Sequence, residues 1–153
     1  MFSMDASIKE LMVREHGKIF ALLGKFRFEL DHLRDTKAAL KAYKKFNTFH
    51  KKHIYVEEKI IIKYNKQISS LGIAKAILKQ HKEIKKTSQK ILIQAKKAKE
   101  NIPDKLYEEA AKLQKYLIAH VILEETKFYP FLDGEMKEAD KIRLINKITK
   151  SLQ

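Results

Sequence analysis

Cysteine is absent from the 153 residues, glycine occurs four times and proline twice. Without thiols the chain forms no disulfide, no thiolate zinc site and no cysteine-ligated iron–sulfur cluster, which fits a reducing cytoplasm. With so few residues that punctuate a backbone, the chain is expected to be mostly helical. Long apolar runs are missing too: none approaches the roughly 20 residues needed to cross a bilayer. The start, Met1 to Leu11, mixes acidic with apolar residues and lacks a signal-peptide layout. The expectation is a soluble, cytoplasmic protein with no integral membrane span.

Arginine is scarce as well. Of 33 basic residues only Arg14, Arg27, Arg34 and Arg143 are arginine, although the formal charge is +14. Recognition of phosphates and base edges leans on the bidentate guanidinium. Lysine is in addition a good helix former on solvated faces. The basic excess therefore reads as a solvated surface, and a nucleic-acid or acidic-membrane partner is not expected.

The length suits a single domain covering residues 1–153 and able to bury a core of its own. Ser7 and Glu10 have capping-box spacing, and Ile8, Leu11, Met12, Ile19, Leu22, Leu23, Phe26 and Leu30 mark the apolar side of a helix running to about Arg34. Asp35 or Thr36 caps a second, running to about Gln67 with Leu40, Phe46, Phe49, Ile54, Ile60 and Ile61 inward. A turn around Ser69, Ser70 and Gly72 leads into a third, which reaches about Lys99 through Ile77, Ile84, Ile91 and Ala95. Pro103 suits the first position of a fourth, because its missing N–H has no intrahelical partner there. That helix continues through Leu106, Ala110, Leu113, Leu117 and Leu123 to about Tyr129, where Pro130 is expected to end it. Asp133 and Gly134 then open a terminal helix, about 135–151, with Ala139, Ile142, Ile145, Ile148 and Leu152 as a stripe for covering one end or pairing with another subunit. The fold class is all-α: an antiparallel up-down-up-down four-helix bundle over about 7–129, with a short C-terminal helix.

Two of the six histidines begin the same pattern, His53-Ile-Tyr-Val-Glu57 and His120-Val-Ile-Leu-Glu124. Four residues turn a helix by about 40 degrees beyond a full revolution, so imidazole and carboxylate share a face one turn apart. A further histidine precedes each pattern one helix earlier: His16 lies 37 residues before His53, and His81 lies 39 before His120. At about 1.5 Å per residue, His16, His53, His81 and His120 lie roughly 14, 21, 15 and 14 Å from one shared end of the bundle. The four imidazoles and two carboxylates can thus meet in one layer. His16 falls on the seam of Leu23 and Leu30, and His120 on that of Leu113. A lone ionised carboxylate in such a core is expensive unless it is paired or bound to metal.

Imidazole with carboxylate and no sulfur suits iron, manganese or zinc. Six groups from four helices give each of two ions two imidazoles and a share in two bridging carboxylates. Two trivalent irons against two glutamates leave an excess positive charge that an oxo or hydroxo bridge relieves. Iron also has redox chemistry that zinc lacks.

At these residues the chain resembles the hemerythrin-like family, the His-His-Glu cation-binding domains, over roughly Ser7 to Tyr129. The resemblance implies a non-heme di-iron centre, with His16, His53, Glu57, His81, His120 and Glu124 as metal ligands and Glu57 and Glu124 bridging. It implies a small gas ligand, oxygen foremost, bound or sensed; nitric oxide processing, iron-centre repair and iron-responsive regulation are the alternatives, and a redox partner accompanies some of them. Oxygen carriers of the family have two histidines one turn apart on the third helix, whereas the positions four from His81 are Ile77 and Lys85. The chain is similar to the four-histidine, two-glutamate branch, with a coordination position left open. Classical members place the carboxylate five residues after the fourth-helix histidine, where this chain has Glu125, matched by Glu58 after His53. The four-residue register is preferred because it keeps both groups on one face, which leaves Glu58 and Glu125 at the periphery. His50, one turn before His53, is read as structural or as a replacement donor, His32 as solvent-facing, and Tyr116 as a core tyrosine or a hydrogen-bond donor near the metals.

Overall fold

The computed structural model describes residues 6–153; the first five residues of the expected domain lie outside the described residues. Four long helices carry the bundle. α1 spans Ile8–Phe28 and finishes in a π-helical turn, Glu29–Leu33. α2 spans Thr36–Tyr55 and also passes into a π turn, Val56–Ile61. After the short α3, Lys66–Ser69, comes α4, Gly72–Lys97. α5 spans Asp104–Leu123 and enters a third π turn, Glu124–Phe128, which leads into α6, Tyr129–Glu135. α7, Glu138–Leu152, closes the chain. No strand occurs among the described residues, and no helix there is long and apolar enough to cross a membrane.

Local chemistry sets the boundaries. Ser7 Oγ accepts the Glu10 N–H at 3.0 Å, as its capping spacing suggests. Asp133 of α6 reaches the same helix end and takes the Ile8 and Lys9 N–H groups at 2.8 and 3.1 Å. Arg34 stops the first helix in the left-handed region (φ 52), and Asp35 caps the next through the Lys37 and Ala38 N–H groups. The second helix ends at Ile61, earlier than the Gln67 expected, because Asn65 caps a separate turn of helix by accepting the Ile68 N–H.

Pro130 does not end the fourth helix. The Tyr129 N–H bonds back five residues to the Glu124 carbonyl, so the ladder changes register just before the proline. Pro130 thus stands in the first turn of α6, where its missing N–H costs nothing. Asp133 and Gly134, expected to open the terminal helix, lie inside α6, and the break falls at Met136 and Lys137.

The core is in two parts. One apolar cluster gathers Ile8, Met12, Val56, Ile61, Ile77, Phe128 and Tyr129 at the end where α1 and α4 begin, and Leu144, Ile145 and Ile148 of α7 cover it. The other gathers Leu23, Phe26, Tyr43, Phe46, Ile84, Ile91 and Leu113 toward the opposite end. Fully burying such a side chain contributes about 1.5–3 kcal/mol, so the clusters clamp whatever lies between them. Leu22, Leu40, Phe49, Ile60 and Leu123, expected in the core, are only partly buried, and Ala139 is exposed. Leu22 and Phe49 line a surface groove between α1 and α2 whose rim is Lys44, Lys45 and Lys52.

Candidate metal centre

Between the two apolar clusters lies a polar layer. His16 comes from α1, His53 from α2, His81 from α4 and His120 from α5; Glu57 and Glu124 come from the π turns that follow α2 and α5. All six are 0–2% exposed. His53 and His81 point Nε2 at Glu57 Oε1, each at 3.2 Å. His16 and His120 point Nε2 at Glu124 Oε1, each at 3.3 Å. Two overlapping groups result: His16, His53, Glu57 and Glu124 in one, and Glu57, His81, His120 and Glu124 in the other, with the donor atoms of each within 4.8 Å of one another. Both glutamates belong to both groups.

The outer faces of the imidazoles decide what the inner faces present. Glu125 Oε2 meets His16 Nδ1 at 2.6 Å, Glu58 Oε2 meets His81 Nδ1 at 2.7 Å, and Gln80 Oε1 meets His120 Nδ1 at 2.6 Å. An acceptor at Nδ1 calls for a proton on Nδ1, which leaves the Nε2 lone pair facing inward. The carboxylates five residues after His53 and His120 thus orient histidines, and each orients one in the opposite half of the bundle. The widened π turns let neighbouring glutamates serve the two roles, one inward and one outward. Lys85, one turn after His81, donates to both Glu58 oxygens at 3.1 Å, and Ile77, one turn before, is fully buried in the core. Neither replaces a fifth histidine.

Sequence reasoning missed three groups. Tyr129 is fully buried and its hydroxyl donates to Glu57 Oε2 at 2.5 Å, 3.5 Å from His16 Nε2. In a regular helix nine residues would put it about 180 degrees from His120, but the extra residue absorbed by the π turn brings it to about 80 degrees. Gln80 carried no signal beyond its place beside His81. Asp133 carried none that a local pattern could show. Tyr116, the tyrosine considered for the metals, instead lines a groove between α4 and α5, with Lys112 Nζ 5.7 Å from its ring centroid. His50 is buried between Phe46 and His53, stacked on both rings, and stands outside both groups. His32 is exposed and lies against Phe28.

Without a cation this layer is poorly satisfied. Both Glu124 oxygens and His53 Nδ1 are buried with no hydrogen bond. Inward imidazole lone pairs facing carboxylate oxygens repel unless a proton or metal stands between them. First-row divalent ions hold such nitrogens and oxygens at about 2.1 Å, so neighbouring donors at right angles lie roughly 3.0 Å apart, close to the 3.2 and 3.3 Å observed. The metal-free protein relieves part of the repulsion with protons. Burial alone would lower His81, but Glu57 and then Glu58 raise it above its ordinary value. Burial would raise Glu57, yet the imidazoles of His53, His120 and His81 that face it bring it well below the usual carboxylate range. Burial lowers His120 and His50. The donor set fits a pair of metal ions.

The family model described as the hemerythrin HHE cation-binding domain matches residues 7–132. Comparison with curated proteins and with solved structures gives no match.

Proposed function

We propose that this chain, which belongs to the hemerythrin HHE cation-binding family, holds two iron ions and uses them to bind or sense oxygen. The observation that supports the reading is the pair of two-histidine groups sharing Glu57 and Glu124. His16 and His53 would hold one ion, His81 and His120 the other, and the two carboxylates would join them. Two irons held there would supply one-electron redox chemistry toward a diatomic ligand, and an oxo or hydroxo bridge would balance the charge that two carboxylates leave unmatched.

The chain's own residues hold and shield the pair. Glu125, Glu58 and Gln80 keep Nδ1 protons on His16, His81 and His120, so that each presents a lone pair inward. The apolar clusters above and below keep bulk water out and favour small uncharged molecules over ions. A groove lined by Gln80, Ile84 and Tyr116 reaches the outer edge of the site at the Gln80–His120 hydrogen bond.

Nitric oxide processing is the second reading. It is favoured by the absence of a fifth imidazole: Ile77 and Lys85 occupy the positions one turn from His81 and serve the core and Glu58. Anaerobic iron loading followed by oxygen and nitric oxide titrations, followed by optical and Mössbauer spectroscopy, separates the two. A reversible oxygen adduct supports binding or sensing, turnover of nitric oxide supports the second reading, and silence toward both gases defeats both. About two irons per chain are expected, with less in His53→Ala and Glu124→Ala, because each removes a donor that the rest of the layer has no substitute for.

A further inference from the structure

The two shared carboxylates are not equivalent. Glu124 is fully buried and neither of its oxygens receives a hydrogen bond, so its whole charge is available to a cation. Glu57 is just as buried, and the Oε1 of each glutamate faces two imidazoles at 3.2–3.3 Å, but Glu57 Oε2 also takes the Tyr129 hydroxyl at 2.5 Å. A short O–H···O⁻ bond to an ionised carboxylate is among the stronger hydrogen bonds and draws electron density from the acceptor. Tyr129 is held rigidly enough to sustain it. It opens α6 after the π turn, packs on Phe128 with ring centroids 5.7 Å apart, and lies 5.8 Å from the His16 ring.

Resting on the di-iron reading above, we infer that Tyr129 is a positioning residue for the metal pair: its hydrogen bond to Glu57 Oε2 turns Oε1 toward the ions, makes Glu57 the weaker of the two bridging carboxylates, and raises the reduction potential of the pair. The reason is electrostatic. A carboxylate that shares its charge with a phenol stabilises the oxidised, more highly charged state less than a free one does. The phenol stays protonated throughout and contributes no electron. Loss of the hydroxyl leaves the ring, and with it the packing on Phe128 and His16.

Tyr129→Phe tests this, with Tyr116→Phe as a control, since Tyr116 lies in the α4–α5 groove and makes no hydrogen bond to the layer. Wild type and both variants are loaded anaerobically with iron, analysed for metal, and titrated by spectroelectrochemistry with Mössbauer spectra at each end. The expected result is about two irons per chain in all three, a downward shift of the midpoint in Tyr129→Phe alone, and altered Mössbauer parameters there. The carboxylate stretching bands of zinc-loaded samples give a second readout independent of redox, and are expected to shift in Tyr129→Phe and not in Tyr116→Phe. An unchanged midpoint and unchanged bands at full occupancy would reduce Tyr129 to packing and overturn the inference. So would loss of iron from Tyr129→Phe, which would make the hydroxyl a condition of metal binding instead of a tuner. Failure of the di-iron reading looks different: wild type itself would take up no iron.

Discussion

A carboxylate withdrawn from water and given no hydrogen bond is costly to fold around, by several kcal/mol even after relaxation. Glu124 is such a group, and the arrangement makes sense if a cation completes it. The other donors are prepared for the same cation from behind: each acceptor at Nδ1 fixes the tautomer that a metal needs. Glu125 illustrates how much rests on this contact, because it is partly solvent-exposed and its removal leaves no buried charge behind. In Glu125→Leu, His16 loses the acceptor at 2.6 Å and is free to put its proton on Nε2, facing Glu124. Metal affinity is expected to fall about 10–100-fold, measured by competition with a chelator of known affinity. Glu125→Gln keeps an acceptor and is expected to lose less. Equal affinity in Glu125→Leu and wild type would show that the apolar walls alone orient His16.

At the scale of elements, what was legible in sequence and what was not follow from different physics. The four helices could be read because an apolar stripe at helical period survives packing. Four of the six inward residues could be read because a histidine and a glutamate four apart share a face, and His16 and His81 because each recurs one helix earlier at a matching depth. The π turns left no such trace: each is one residue absorbed to suit the neighbouring helices, and propensity does not record it. Missing the turn at Glu124–Phe128 misplaced both Pro130, which looks like a helix end, and Tyr129, which looks as if it points away. The roles of Glu58 and Glu125 stayed open for the same reason. The end of the first helix shows the converse, a local feature with a local cost. Arg34 stops it at φ 52, a conformation costing a residue with a Cβ roughly 1 kcal/mol. Arg34 is exposed and makes its cap through the backbone N–H to the Glu29 carbonyl, which glycine keeps. Arg34→Gly is therefore expected to stabilise the protein by up to about 1 kcal/mol in urea unfolding; a loss of stability would mean that the arginine side chain makes a contribution the backbone geometry does not reveal.

For the whole molecule, the layer divides the core, so folding and metal occupancy are coupled through protons. In the metal-free protein burial keeps His50 and His120 below their ordinary value, while Glu57 and Glu58 hold His81 above it. As pH falls below about 6.5 the unfolded chain protonates residues 50 and 120 before the folded one does, so their contribution declines with falling pH. His81 acts in the opposite sense: its contribution is present below about 6.5 and is lost as pH rises through its folded value. Glu57, held well below the carboxylate range, contributes above about 4.5 and loses that contribution only in stronger acid. Below about 6.5 His81 is protonated in both states and the two buried histidines alone set the slope, so metal-free protein should lose stability between pH 6.5 and 5.5, at most about 2.7 kcal/mol per pH unit. Iron-loaded protein should start from a higher stability, since ligand binding to the folded state adds to it. Its loss should then be the steeper one, because protons must displace metal from four imidazoles instead of adding to a partly protonated layer. Urea unfolding at pH 7.5, 6.5 and 5.5, with and without iron, measures both slopes; a metal-free stability higher at pH 5.5 than at pH 7.5 would show that the proton held between His81 and the glutamates outweighs the two histidines that burial keeps neutral.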